Sequence, residues 1–401
     1  MATEYRQVFL EEEITSRIKG LKERIAKENL DAALIVQKAD RYYYTGTTQQ
    51  GWLYVPVDRA PVFMVFKDAE RAAAESVLED IIPLLSPKKI PDVLNERGIA
   101  LPKRLGLELD VMPANTFFMF NSIFGSAEIH DVSPSIRLQR AVKSGFEIEC
   151  IRKSSALADK VAASVPELAK PGITEVELAG LVEARARKLG HQGTIRMRMW
   201  DNDLFYGHIM CGPEAAVPGS LASPTAGAGM NPFVGQGPSF KPLERHQPLL
   251  VDYVFARDGY LSDHARIFSL GELDDEFYKA HEAMRGIQDM VKQMAVPGAV
   301  TGEIYAAMVD MAKESGYGAE FMGAAPPKIR FTGHGVGIEL DEFPFIAQGQ
   351  TLPLESGMVI ALEPKVILPG KGVVGVENTC LVTPDGLEML TRYPEGITRI
   401  D

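Results

Sequence analysis

The sequence has little cysteine, no long apolar run and no excess of positive charge, and each absence argues against a class of protein. Its three cysteines, Cys150, Cys211 and Cys380, are odd in number and far apart, which fits neither a disulfide framework nor a zinc site. Apolar runs such as 61–66 are strand-sized and too short to cross a bilayer. A net charge of −12 without a basic stripe argues against a nucleic acid partner.

The first seventeen residues do not have the pattern expected of a secretory signal peptide. Residues 1–17, MATEYRQVFLEEEITSR, are charged and have no apolar core of the signal-peptide kind. Together with the cysteine pattern, this predicts a cytoplasmic protein that does not bind a membrane.

The length and the periodicity of the chain predict two domains. The chain has 401 residues, and 46% of them are hydrophobic. A chain of this length usually forms more than one hydrophobic core. A helical pattern at 12–29, strand-like runs at 32–36 and 61–66 and a helix from about Ala69 predict a compact α/β domain. Residues 132–144 are expected to be irregular, and we place the boundary there, which gives domains 1–140 and 141–401.

Two passages in the second domain have the same order of helix, Pro-Gly and helix. Their first helices are predicted at 146–168 and 274–296, and the passages align without a gap at a shift of 126 residues. In the first passage the second helix starts at Thr174, and Glu177 completes a capping box. The repeat indicates two related halves. The alternative is that Pro-Gly ends many helices.

Two hairpins carry pairs of carboxylates. Residues 248–270 are predicted to be two strands that meet at a turn containing Asp258 and Gly259, with Asp252 and Asp263 on facing strands. A four-residue loop would place the two aspartates directly opposite each other, and a two-residue loop would make them diagonal neighbours on one face. An odd-length loop would put them on opposite faces.

The second hairpin, within residues 357–383, repeats the pattern. A three-residue loop at 369–371 would set Glu363 directly opposite Glu377, although Pro364 interrupts an ideal ladder. Between the hairpins, His334 lies in a glycine-rich turn.

Carboxylate pairs among apolar strand residues need a positive partner. Like charges directly opposite each other repel, and burying unpaired charge is costly. A divalent cation is the simplest partner, because hard or borderline ions take oxygen ligands. Four carboxylates and two divalent ions would balance to near zero, and a neutral His334 would complete the site. The alternative is that the acidic side chains lie on solvent-exposed faces, which is the usual interpretation of a single aspartate.

The ordered motifs VDYVFARDGYLSDHAR, TGHGVGIELDE, ALEP and VEN resemble those of the pita-bread metallohydrolases, which include Xaa-Pro dipeptidases, aminopeptidase P, creatinase and methionine aminopeptidase. DAALIV and RYYYTGT resemble the amino-terminal domain of the prolidase and creatinase branch. The resemblance implies an α/β amino-terminal domain followed by an α+β pita-bread (creatinase/aminopeptidase) domain with pseudo-twofold halves.

The resemblance also implies roles for the five residues. Asp252 would hold one metal ion, Asp263 and Glu377 would bridge two ions, and His334 and Glu363 would hold the second. Glu363 would also carry a proton, while a hydroxide between the ions attacks a carbonyl. The ions would be manganese, cobalt or zinc, and a homodimer is expected.

The sequence departs from the family at two histidines that usually handle the substrate or its protons. Gly219 stands where the first is expected, and Asp341 where the second is. His208 is a candidate catalytic replacement, although a lone histidine of this kind is more often structural.

A short alternating segment is a further candidate for substrate binding. Arg196 and Arg198, which precede Trp200, are expected to share one face and to bind a substrate carboxylate, with Asp341 also assigned to the substrate. The alternative for the arginines is surface charge or an ion pair.

These features support three hypotheses. The first is an Xaa-Pro dipeptidase or aminopeptidase P-like peptidase acting on a small peptide. The second is a creatinase-like amidinohydrolase, or a lyase, acting on a small carboxylate. The third is a non-catalytic binding homologue.

Overall fold

The computed structural model describes residues 2–198, 206–219, 223–323 and 328–401. The chain divides into two compact units, Met1–Arg140 and Ala141–Asp401. Within the described residues, no helix is long and apolar enough to cross a membrane.

The amino-terminal unit is built on a mixed β-sheet. In chain order its helices and strands are α1 (Ala2–Lys27), β1 (Ala32–Ile35), α2 (Lys38–Thr45), β2 (Gly51–Pro56), β3 (Val62–Val65), α3 (Ala69–Glu75), β4 (Ile81–Pro83), α4 (Ile90–Glu96), β5 (Arg104–Leu107), α5 (Ala114–Ile123), β6 (Glu128–Asp131) and α6 (Ser133–Ala141). The described strands are ordered β4-β3-β2-β1-β5-β6. The central strand β1 is buried along its whole length, which explains why it is an unbroken apolar run.

The prediction that 132–144 is irregular is wrong, because α6 occupies most of it. Val132, Ile136 and Arg140 are buried at four-residue spacing, which is the period of a helix face. Serine and proline suggested a loop, but Pro134 lies in the first turn of the helix, where a missing N–H is tolerated.

The carboxy-terminal unit has long helices and two main sheets. In chain order its elements are α7 (Gly145–Ala162), α8 (Val165–Leu168), α9 (Glu175–Lys188), β7 (Ile209–Cys211), β8 (Pro248–Asp252), β9 (Phe255–Arg257), β10 (Tyr260–Ser262), β11 (Ala265–Leu270), α10 (Asp275–Met294), α11 (Thr301–Glu314), β12 (Phe331–Gly335), β13 (Glu342–Ala347), β14 (Val359–Leu362), β15 (Lys365–Leu368), β16 (Gly372–Gly375), β17 (Asn378–Thr383), β18 (Gly386–Met389) and β19 (Thr398–Ile400). The helix predicted at 146–168 is divided into α7 and α8. Pro166 explains the break, since it cannot donate to the preceding turn.

The two halves of this unit are related, as the repeat predicted. Helices α9 and α11 begin and end 126 residues apart, and α9 begins with the predicted capping box at Thr174. The glycines before them, Gly172 and Gly298, both have positive φ, 86° and 93°. Strands β7, β8 and β11 of the first half form one described sheet together with the carboxy-terminal strand β19, in the order β19-β11-β8-β7, and the second half contributes β13-β12-β14-β17-β18.

Both carboxylate hairpins form, and their registers are defined. In the first, Tyr260 pairs with Arg257, so the turn is the two residues Asp258 and Gly259, and both have positive φ. Asp252 then faces Ala265, so Asp252 and Asp263 are diagonal neighbours, which is the two-residue-loop alternative.

The second hairpin has the predicted three-residue loop. Lys365 pairs with Gly375 and Leu368 with Gly372 across it. The same register continues on the other side of Pro364, where Leu362 pairs with Asn378. Glu363 and Glu377 therefore lie at facing positions, as expected.

Candidate metal centre

The two hairpins meet at the point where each ladder is interrupted. Strand β11 begins at Ala265, whose N–H donates to the Glu377 carbonyl at 3.3 Å, and the Glu377 N–H donates back to the Ala265 carbonyl at 3.2 Å. Buried Arg266 donates to the same Glu377 carbonyl and to the Asn378 side chain. These contacts bring the carboxylates of both hairpins to one place.

His334 is fixed by the close approach of neighbouring strands. It lies on β12 between Gly333 and Gly335. A Cβ at Gly333 would be 2.6 Å from the Ala361 carbonyl oxygen, and one at Gly335 would be 2.1 Å from that of Phe343. The glycines therefore allow β12 to pack between its neighbours with the imidazole buried among the carboxylates.

Asp263, His334 and Glu377 form a buried group that has the dimensions of a metal site. Each offers one ligand atom, and these atoms lie within 4.8 Å of one another. Two atoms that each lie about 2.1 Å from one ion are roughly 3 to 4 Å apart. Asp263 Oδ1 is buried and accepts no hydrogen bond from any described residue. An unpartnered carboxylate oxygen in such a place is suited to a cation.

Lys365, which is not among the predicted site residues, lies among the other carboxylates. Its Nζ is 3.0 Å from Asp252 Oδ2, 2.8 Å from Glu363 Oε2 and 2.8 Å from Glu377 Oε2. Side chains two residues apart on a strand point to the same face, so the lysine shares the face of Glu363. This alternation is the feature of the sequence from which the face of Lys365 can be predicted.

These contacts fit one divalent ion and do not fit two. The group of Asp263, His334 and Glu377 has ligand atoms within 4.8 Å of one another and an unsatisfied oxygen, whereas the three oxygens around Lys365 already accept from its ammonium group. A second ion, as the resemblance implies, would have to take the position that the Lys365 ammonium group fills.

The electrostatics of the centre are those of crowded acids around a buried ammonium group. Burial, together with Glu377 and Asp252, raises the pKa of Asp263 well above its ordinary value. Burial likewise raises the pKa of Glu377 to about 8, although Lys365 opposes the shift. Burial by itself would lower the pKa of Lys365, but the surrounding carboxylates, led by Asp252, raise it.

Two of the remaining predicted residues lie beside this centre. Asp341 Oδ1 is 3.4 Å from His334 Nδ1, on the far side of the ring from Nε2, which is 3.8 Å from Asp263. The His208 carbonyl accepts from the Asp252 N–H at 2.8 Å. Burial lowers the pKa of His208 to about 4, an effect that Asp252 opposes, so the imidazole is neutral at neutral pH.

The arginines and Gly219 show other contacts. Arg198 Nη1 lies 3.8 Å from Glu339 Oε2, and the Arg196 carbonyl accepts a hydrogen bond from the Leu340 N–H. The arginine segment therefore runs beside residues 339–341. Trp200 lies outside the described residues. At Gly219 a Cβ would be 2.3 Å from the Ala226 Cβ, so this loop packs too closely to hold the family's imidazole.

Comparison with known proteins agrees with the motifs. Residues 149–384 match metallopeptidase family M24, and residues 17–142 match the creatinase/prolidase N-terminal domain. An Xaa-Pro dipeptidase of Pyrococcus furiosus is 27% identical over 94% of this chain and 97% of its own length.

Solved structures share the whole fold. The prolidase of Pyrococcus horikoshii superposes with a TM-score of 0.78 and 26% identity, over 95% of this chain and 99% of that one. An Xaa-Pro dipeptidase from Bacillus anthracis gives a TM-score of 0.82 at 23% identity, over 96% and 99% of the two chains. Because the family match spans more than half of the sequence and includes all five predicted ligands, this chain belongs to the pita-bread metallopeptidase family M24.

Proposed function

We propose that this protein is a metal-dependent hydrolase of short peptides, of the Xaa-Pro dipeptidase or aminopeptidase P type. The observation that carries the proposal is the buried group of Asp263, His334 and Glu377, in which one aspartate oxygen has no described hydrogen-bond donor. The relatives named Xaa-Pro dipeptidase support the choice of substrate.

The positions of the residues support the roles that we propose for them. Asp263, His334 and Glu377 would hold the ion, and Asp252 and Glu363 would complete the acidic set. A divalent ion bound there, manganese, cobalt or zinc, would supply Lewis acidity toward the scissile carbonyl. Glu363 is the proposed proton carrier, because its Oε1 lies 4.0 Å from His334 Nε2, on the side of the ring that faces Asp263.

Four further residues are assigned to the substrate or its proton. Neutral His208, next to Asp252, is the proposed replacement for the missing imidazole. Arg196 and Arg198 are proposed to bind the substrate carboxylate, with Arg198 exchanging its contact with Glu339 for that group. Asp341 was assigned to the substrate as well, but its contact with His334 favours a role in orienting the ring.

We also propose that 1–140 is a creatinase/prolidase-like domain and 141–401 the catalytic domain. A cytoplasmic location and a homodimer remain predictions.

Lys365 and Gly219 favour one alternative activity. An ammonium group in place of an ion, and a loop without room for the usual imidazole, change the chemistry available to the substrate. A creatinase-like amidinohydrolase or a lyase on a small carboxylate is therefore the second candidate. A non-catalytic binding homologue is the third.

The test is an assay of the manganese-loaded protein on Xaa-Pro dipeptides, matched Xaa-Ala dipeptides and small non-peptide acids. We expect cleavage of the proline series, loss of activity with a chelator, and a drop of about 10²–10⁴-fold in kcat for Glu363→Gln. Lys371→Met, at an exposed ion pair, serves as the control.

Turnover of the acids alone would select the second candidate. Metal-loaded protein that turns over none of these compounds would leave the binding homologue.

A further inference from the structure

The ammonium group of Lys365 lies in contact with Asp252, Glu363 and Glu377. We propose that the Lys365 ammonium group takes the place of one of the two metal ions, so that the centre binds a single divalent ion, at Asp263, His334 and Glu377. The number of bound ions is independent of the substrate, so this inference stands or falls separately from the proposed peptidase activity.

The ammonium group satisfies the three carboxylates that it touches. An ammonium group has three N–H donors, and Lys365 Nζ has three carboxylate oxygens at 2.8 to 3.0 Å, one from each residue. Charge-assisted hydrogen bonds of this length are the strong ones. Each of the three carboxylates has one oxygen committed to the lysine.

A metal ion cannot share this position with the ammonium group. An ion bound by the same oxygens would lie about 2.0–2.2 Å from them, which is inside the volume that Nζ occupies. An ion placed nearby would face a like charge in a buried site, where repulsion is weakly screened.

The backbone on both sides holds Lys365 in place. Lys365 pairs with Gly375 on β16, and its carbonyl accepts from the Met322 N–H at 3.0 Å. A Cβ at Gly375 would lie 2.9 Å from the Lys365 Cγ, so the glycine leaves the space through which the lysine stem runs. The side chain is 3% exposed, and withdrawing its ammonium group would leave three buried acids without a cation.

The lysine does not contact Asp263, the fourth carboxylate of the centre. Asp263 accepts no hydrogen bond from Lys365, and its Oδ1 accepts none from any described residue. With His334 neutral, four carboxylates, one ammonium group and one divalent ion sum to −1, whereas a second ion would change the sum to +1. One ion and the lysine thus come as close to neutrality as two ions and the lysine would, and only the first arrangement avoids opposed cations.

The test counts ions per chain. Purified protein is saturated with Mn²⁺ and, separately, with Zn²⁺, dialysed, and measured by elemental analysis and by titration calorimetry. We expect one ion per wild-type chain, two per Lys365→Ala chain and none per His334→Ala chain. The control Lys371→Ala, which removes an exposed lysine paired with Glu276, should bind one ion.

A crystal of the wild-type protein soaked in Mn²⁺ gives a second readout that does not depend on the stability of any variant. We expect one anomalous peak, at Asp263, His334 and Glu377, with Lys365 Nζ among the other oxygens. Two peaks with the lysine displaced, or no peak, would overturn the inference. A folded Lys365→Ala protein that still binds one ion would also contradict it.

Discussion

The two carboxylate hairpins of the carboxy-terminal unit each bring two acids to the centre, but the charges of these acids are balanced differently. Two residues after Asp252 comes Val254, which is buried in an apolar cluster with Ile195 and Val336. Two residues after Glu363 comes Lys365, whose ammonium group contacts three carboxylates. The first hairpin therefore leaves Asp263 with an unpartnered oxygen, while the second carries its own cation.

The difference shows how one side chain can change the chemistry of a carboxylate hairpin. The strands set where the carboxylates point, and the residue two positions further along the strand decides whether a protein cation or a metal ion neutralises them. The following three predictions test this comparison, from the largest effect to the smallest.

Removing the ammonium group from the second hairpin should change the free energy of unfolding most. Lys365→Met keeps the bulk of the stem but leaves three buried acids unpaired, and breaking a buried ion pair costs about 3–5 kcal/mol. We expect the metal-free variant to lose that much free energy of unfolding, measured by urea denaturation, and Mn²⁺ to restore part of it.

Lys371→Met is the control for that measurement, since this lysine is half-exposed and its ion pair with Glu276 contributes at most about 1 kcal/mol. A metal-free Lys365→Met protein as stable as the wild type would show that the ammonium group does not balance the acids.

Neutralising Asp263 should change the free energy of unfolding in the opposite direction. Asp263→Asn removes a buried carboxylate whose pKa is raised by burial and by Glu377 and Asp252. We expect the metal-free protein to gain about 1–3 kcal/mol, because a neutral amide of the same shape is less costly to bury beside Glu377 and Asp252 than a carboxylate. The melting temperature should no longer rise when Mn²⁺ is added.

Asp258→Asn, at the turn of the same hairpin, is the matched substitution outside the centre. If Asp263→Asn destabilised the metal-free protein, the acid would have a partner that compensates its burial.

Weakening the support of the imidazole should have the smallest effect. Asp341 lies 3.4 Å from His334 Nδ1, and removing such a supporting carboxylate lowers metal affinity by about tenfold or more. We expect Asp341→Asn to weaken Mn²⁺ binding by about tenfold in a calorimetric titration without changing the number of ions.

Asp310→Asn, at an exposed helical position, provides the comparison. An unchanged affinity for Asp341→Asn would return that residue to the substrate-binding role first assigned to it.

Much of the centre was predictable because hairpin geometry is local. The loop at 369–371 defines the register of Glu363 and Glu377, and the structure has that register. For Asp252 and Asp263 two even-length loops were open, and the Asp-Gly turn selects the two-residue one. Strand alternation equally predicts that Lys365 lies on the same face as Glu363, but it does not predict which acids its ammonium group contacts.

Other features depended on contacts that local patterns do not contain. Serine and proline at 133–135 favour a loop by propensity, but burial of Ile136 and Arg140 on one face makes the segment helical. In the structure Asp341 lies close to His334, and His208 lies close to Asp252. No helical or strand periodicity in the sequence relates the members of either pair.

By itself, the sequence determined the family, the two halves, the faces of the strands and the five polar residues of the centre, because these follow from periodicity, turn length and motif. The tertiary structure alone decided how the charge is shared. Where a long lysine side chain ends is not encoded in its spacing, and only the packing of two hairpins against β12 brings its ammonium group to three acids and leaves the fourth open.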